Sequence, residues 1–138
     1  MSDEAANVRT LKDAYKIWID SKGERFDQWI AIIADKFKFG SLAEGRHGAS
    51  YLTSYDSRDA LEHYFAGIKV DWAMVAFEAE HFVAQGDRVV MLGRCCWRHK
   101  RTGKVVDSPK TDSWRFAGGK VVEFYEYYDT AQLRDAMA

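Results

Sequence analysis

Two acids set among aromatic rings are the residues of this chain best placed to do chemistry. Asp112 stands in Asp112-Ser113-Trp114-Arg115-Phe116 and Glu126 in Glu123-Phe124-Tyr125-Glu126-Tyr127-Tyr128-Asp129, with Ala117-Gly118-Gly119 between the two runs. A carboxylate moved from water into an aromatic wall pays a large desolvation cost unless it is paired. Such a group is therefore partnered, protonated or chemically employed. The chemistry open to a pair of this kind is general acid/base catalysis, with one acid as proton or hydrogen-bond donor and the other as its proton partner. The plainer readings stand beside it: Asp112 pairs with Lys110 or with an arginine, and Glu126 hydrogen-bonds the neighbouring tyrosines or faces solvent.

The acids are positioned by strands. Residues 72–84, 89–100, 105–116 and 120–128 form four strand-like runs. Gln85-Gly86-Asp87, Arg101-Thr102-Gly103 and Ala117-Gly118-Gly119 separate them, each a turn signal, so an antiparallel meander is expected. Period-two alternation puts Lys110 and Trp114 on the face of Asp112. Upstream the period is helical: Val8, Leu11, Tyr15 and Trp18, then Phe26, Trp29, Ile30 and Ile33, interrupted by Ser21-Lys22-Gly23, predict two helices and a turn. Phe37 and Phe39 suggest a short strand. Residues 57–65 predict a third helix with Ser57 as N-cap, and residues 132–137 a last helical turn. Between them, residues 40–56 carry Gly, Ser and Tyr without a period. A loop of that length in a compact domain acts as a lid or binding segment, with His47, Tyr51 and Tyr55 as its candidate ligand-facing residues.

Composition narrows the function classes. The hydrophobic fraction of 47% and the single proline, Pro109, exclude a disordered or linker-rich chain and fit one globular domain over residues 1–138. Twenty basic against 21 acidic residues leave no positive field for nucleic acid or an anionic membrane. Met1-Ser2-Asp3-Glu4 runs straight into an amphipathic helix, and no run approaches the roughly 20 apolar residues of a membrane span, so a cytoplasmic location is expected. Cys95 and Cys96 are adjacent, point to opposite faces of a strand and read as reduced packing residues. His47, His63, His81 and His99 show no metal-binding spacing, and no phosphate-cradling glycine loop or nucleophile elbow is present. Neither metal nor cofactor is expected.

The element order, together with Gly86-Asp87-Arg88-Val89-Val90, Asp112-Ser113-Trp114-Arg115-Phe116, Gly119-Lys120-Val121-Val122-Glu123 and Tyr127-Tyr128-Asp129-Thr130, resembles the nuclear transport factor 2-like superfamily, in its SnoaL-like and ketosteroid isomerase-like branch. The resemblance implies an α+β fold, a cone-shaped, strongly curved antiparallel sheet with three N-terminal helices packed on its concave face. It gives Asp112 the position of the isomerases' protonated, hydrogen-bond-donating Asp. Their base Asp falls here at Gly40-Ser41 and is missing. Their oxyanion-binding Tyr maps near Lys16, one residue and about 100° of helix rotation from Tyr15. The isomerase-like register turns Gly93, Cys95 and Trp97 inward and leaves Arg94 and Arg98 outside. It also turns Phe124, Glu126 and Tyr128 toward the cone and brings Glu126 near Asp112, where one acid is forced toward its neutral form unless Lys110 pairs with it.

These readings predict a small-molecule enzyme of isomerase, cyclase or hydratase/dehydratase type, using cofactor-free acid/base chemistry on a mostly apolar carbonyl-bearing or cyclic substrate. Asp112 and Glu126 are its catalytic candidates. Tyr15, Trp18, Cys95, Trp97, Lys110, Trp114, Phe124 and Tyr128 are its pocket. The rival is a non-catalytic ligand-binding or assembly module of the same fold. The outer sheet face, with Val90, Leu92, Cys96 and Val106 beside Arg94, Arg98, Arg115, Tyr125 and Tyr127, suggests a homodimer.

Overall fold

The computed structural model describes residues 3–138. Helix α1 (Asp3–Asp20) leads into α2 (Asp27–Ile32), β1 (Ile33–Ser41), β2 (Tyr55–Ser57) and α3 (Leu61–Asp71). Four long strands follow, β3 (Trp72–Gln85), β4 (Arg88–His99), β5 (Val105–Ala117) and β6 (Lys120–Tyr127), and α4 (Thr130–Met137) closes the chain. One open sheet has the order β2-β1-β6-β5-β4-β3. The meander is the expected one, and β1 adds to it in parallel with β6, placing Ser41 beside Glu126.

Several boundaries differ from the sequence reading, each for a local reason. Ile33 ends the helical period as the first residue of a nine-residue strand, because its extended backbone begins the pairing with Val121 of β6. Ser57 belongs to β2, and its Oγ accepts the Ala60 N–H at 3.3 Å, closing a turn ahead of a helix that starts at Leu61. The last helical turn is a full helix, capped by the Asp129 carboxylate accepting the Gln132 N–H at 3.1 Å, so the helices among the described residues number four rather than three.

The hairpin that carries both acids is set by Gly118 and Gly119, whose φ values of 57° and 81° suit a tight turn that follows the twist of the strands. Along β5 the burial alternates strictly, with Val106, Ser108, Lys110, Asp112, Trp114 and Phe116 inward. Val106, expected on the outer face, is therefore inside, because it shares the parity of Asp112. Curvature comes from β3, which bulges between Met74 and Ala76 and again between Ala79 and His81. Opposite the second bulge sits Gly93, where a Cβ would lie 1.9 Å from the Glu78 carbonyl oxygen. Only glycine lets the two backbones approach so closely. The concave face receives Leu11, Tyr15 and Trp18 of α1, Trp29 of α2 and Leu61, Tyr64, Phe65 and Ile68 of α3.

At the far end of the sheet, His99 ties the turn after β4 to α4. Its ring is 2% exposed, meets Trp72 edge-on at 4.8 Å, and accepts the Thr102 N–H on Nδ1 at 3.3 Å. The Thr102 hydroxyl donates to the Ala136 carbonyl at 2.6 Å. Burial pushes the His99 imidazole below its ordinary value, with Asp71 opposing and Arg101 reinforcing the shift. A lowered folded-state value means that the unfolded chain binds the proton more readily. The contribution of His99 is thus present above about pH 6.5 and is lost as pH falls through the folded value. Urea denaturation should show a midpoint that declines as the solution is acidified below that point, and His99→Gln should flatten the decline. An equal slope in both proteins would assign the acid sensitivity to other groups.

Candidate functional site

Asp112 and Glu126 face each other across the β5–β6 hairpin as directly paired residues. They are 3% exposed each, and Lys110, 8% exposed, lies between them. The Lys110 ammonium donates to Asp112 Oδ1 and, at 3.1 Å, to Glu126 Oε1. Helix α1 supplies the next donor: the Tyr15 hydroxyl donates to Asp112 Oδ2 at 2.5 Å and accepts the Trp114 indole N–H at 3.0 Å. Helix α3 supplies Tyr64, whose hydroxyl spans Glu126 Oε1 and Oε2 at 3.0 and 3.1 Å. Strand β1 supplies Ser41, which donates to Glu126 Oε2 at 2.8 Å and shares a 2.7 Å hydrogen bond with the Tyr128 hydroxyl.

The electrostatics follow from this geometry. Burial alone pulls the Lys110 ammonium down, but the carboxylates of Asp112 and Glu126 outweigh it and hold Lys110 above its usual range. Burial, then the charge of Asp112, pushes the Tyr15 phenol well up. Burial, then Glu126, does the same to Tyr64. Both phenols are consequently held as hydrogen-bond donors. Burial also pushes the Cys95 thiol up to about 12, which keeps it a packing group rather than a nucleophile.

Above this polar floor lies a cavity of about 120 Å³. Tyr15, Trp18, Cys95, Trp97, Lys110, Asp112, Trp114, Phe124, Glu126 and Tyr128 all line it, and so do all five tryptophans of the chain. The rings brace one another: Trp29 stacks on Trp114 at 5.3 Å, Tyr15 meets Trp29 edge-on at 4.9 Å, and Trp114 contacts Phe124 at 4.4 Å.

The candidate lid residues do not line the cavity, whereas their neighbour Leu52 does. Tyr51 is buried, donates to Asp71 at 2.7 Å and accepts the Trp72 indole N–H at 2.8 Å. Tyr55 donates to the Tyr51 carbonyl at 2.7 Å, and His47 sits half-buried in a left-handed turn with φ of 65°. The segment is stitched down by bonds such as Gly45 N–H to the Leu52 carbonyl at 2.7 Å.

Three site residues escaped the sequence reading. Tyr64 was legible only as part of the third predicted helix, Trp29 as part of a helical apolar stripe, and Ser41 as the place where an acid is absent. A fourth needs correction: the phenol on α1 reaches the site from position 15, while Lys16 points outward and pairs with Asp20 at 2.8 Å. The spacing Leu11, Tyr15, Trp18 already carried that signal.

A curved open sheet with helices on its concave face and a polar floor under an aromatic cavity is the nuclear transport factor 2-like fold. The chain belongs to the SnoaL-like domain family, whose pattern matches residues 18–124. An NTF2-like protein of unknown function from Burkholderia pseudomallei K96243 superposes with a TM-score of 0.85 at 19% identity, over 100% of this chain and 99% of its own. An NTF2-like protein from Burkholderia thailandensis E264 gives 0.80 at 25% identity, over 96% and 97%. A candidate SnoaL-like polyketide cyclase from Jannaschia sp. CCS1 gives 0.78 at 16% identity, over 99% and 95%. No curated protein sequence matches the chain. Among the described residues no helix is long and apolar enough to cross a membrane.

Removing the one cation of the floor leaves two buried acids facing each other. Lys110→Met should cost about 3–5 kcal/mol in urea denaturation. Because Lys110 is held above its ordinary value, its contribution is fully present below the unfolded-state value near 10.4, and so throughout neutral pH. A midpoint unmoved by the substitution would show that the triad does not support the fold.

Proposed function

We propose that the chain is a cofactor-free acid/base enzyme that relocates a proton on a mostly apolar, carbonyl-bearing or cyclic molecule. The carrying observation is the unequal hydrogen bonding of the two acids. Glu126 accepts from three groups, Lys110 on one oxygen, Ser41 on the other and a single Tyr64 hydroxyl shared between the two, which leaves it less free acceptor capacity than Asp112 has. Asp112, which also lines the cavity, accepts only one donor on each oxygen and so retains acceptor capacity. These counts favour Asp112 as the base and Glu126 as the anchor of Lys110, a different division of labour from the donor role that the family resemblance implies for Asp112.

In this reading a proton on the carbon next to the substrate carbonyl passes to Asp112, and the electron pair moves onto the carbonyl oxygen. Charge is conserved within the site: Asp112 becomes neutral as the enolate oxygen becomes negative. Lys110, held by Glu126, retains a third N–H for that oxygen. Return of the proton to a different carbon isomerises the substrate; alternatively, attack of the enolate carbon on a second carbonyl closes a ring, the new C–C bond being formed as that C=O π bond breaks and Asp112 returns its proton to the resulting alkoxide. Asp112→Asn keeps the shape of the floor while removing the titratable group. It should preserve the fold and lower protein-catalysed hydrogen–deuterium exchange at the α-carbon of a monocyclic enone by about 10²–10⁴-fold. Undiminished exchange in the variant would remove Asp112 from the mechanism.

The non-catalytic reading draws support from one observation, that every polar side chain of the floor is already hydrogen-bonded within the protein. Absence of any exchange by the native protein on such ketones would favour it. Both readings accommodate a homodimer through the outer face of the sheet, where Leu92 and Tyr127 are 40% and 44% exposed beside Arg94, Arg98 and Arg115. Light scattering at micromolar concentration should then give about twice the 15.8 kDa chain mass. A monomer would rule this interface out.

A further inference from the structure

We infer that the cavity selects ligands by charge, taking a single-ring organic cation in preference to its neutral isostere and rejecting the matching anion. This rests on the proposal that the cavity is a ligand site, but not on its catalysing a reaction. One ammonium faces two carboxylates, so the charged residues that line the cavity, Lys110, Asp112 and Glu126, carry a formal charge of −1. Thirteen of the 23 lining residues are aromatic, and the face of each ring is the negative pole of its quadrupole. A ring that turns its face inward adds to the negative potential of the floor. A cation is already accommodated in these surroundings: the Lys110 ammonium lies 6.0 Å from the centroid of the Phe124 ring.

The acceptor sites left open on Asp112 supply a directional partner for an N–H of the ligand, and an amidinium or protonated amine fits them. A carboxylate or phosphate entering the same space meets excess negative charge in a medium of low dielectric, with the single ammonium already shared between two acids. Neutral carbonyl compounds stand between these extremes. The volume of about 120 Å³ suits one ring, since apolar cavities of similar size hold benzene.

The test uses three ligands of one shape, benzamidine hydrochloride, benzamide and sodium benzoate, titrated into the native protein at constant ionic strength near neutral pH. Binding is followed by the indole N–H resonances, which all report on the cavity because every tryptophan lines it. The expected order is benzamidine, then benzamide, then benzoate, with at least about tenfold between the first and the last, as one unit charge at about 6 Å in a partly screened site requires. Asp112→Asn and Glu126→Gln each leave one ammonium against one acid, and both should shrink the spread to within about threefold. Benzoate binding as tightly as benzamidine would overturn charge selection while leaving the ring-binding cavity in place. An undiminished spread in both variants would overturn it too, by locating the preference elsewhere. If none of the three perturbs the indoles at millimolar concentration, the cavity is not a ligand site, and this inference falls whatever the outcome of the α-carbon exchange assay.

Discussion

Lys110 shares a water-poor space with Asp112 and Glu126, and the whole arrangement of helices around the sheet depends on satisfying that triad. Each acid sits on a strand of the same hairpin, but their donors come from everywhere else: Tyr15 from α1, Tyr64 from α3, Ser41 from β1. A helix that merely covered the cone would need only apolar side chains at these positions. A buried charge without its hydrogen bonds is far more costly than one with them, so the donors fix the rotation and depth of each helix against the sheet. Apolar residues of similar volume in place of such a triad are often as stable or more so. Stability therefore does not account for its presence, and the cavity above it offers a reason of another kind.

The two acids differ in what they have left to offer. Glu126 is held by three donors, Ser41, Tyr64 and Lys110, which suits the proposed role of an anchor for Lys110. Asp112 is held by two donors on opposite oxygens, rigid enough to be positioned and open enough to accept a third. Tyr15 completes the support, because its hydroxyl is itself fixed by the Trp114 indole, and Trp114 is fixed by stacking on Trp29. The chain from Trp29 through Trp114 and Tyr15 to Asp112 joins α2, β5 and α1, so a shift of any one of them is felt at the carboxylate.

The hairpin and the inward set of β5 were legible in the sequence because they obey short-range rules. Period two assigned Lys110, Asp112 and Trp114 to one face and the glycine pair marked the turn, while the register implied by the family resemblance brought Glu126 near Asp112, and the structure pairs the two directly. What was not legible depends on long-range geometry. The pairing of β1 with β6 is parallel and spans most of the chain, and no local signal shows that it brings Ser41 to Glu126. Tyr64 falls within the third predicted helix, and nothing in that helix's outline says that its hydroxyl reaches the floor. Tyr15 shows the cost of transferring a position from a remote family: an offset of one residue pointed to Lys16, while the chain's own helical period pointed to the residue that makes the contact.

The aromatic walls and the ionic floor act on each other. Rings exclude water and lower the local dielectric, which raises the energetic consequence of every charge beneath them. The same exclusion would make a proton shift at Asp112 consequential, since its change of charge is felt mainly by Lys110 and by the Tyr15 hydroxyl, its two donors. In water this coupling would be diluted; under five tryptophans it links the protonation of one acid to the position of one cation. In the proposed reading, the cone turns an expensive buried triad into a place where a change of charge on one acid is strongly felt, which suits either the shift of a proton on a substrate or discrimination among ligands by their charge.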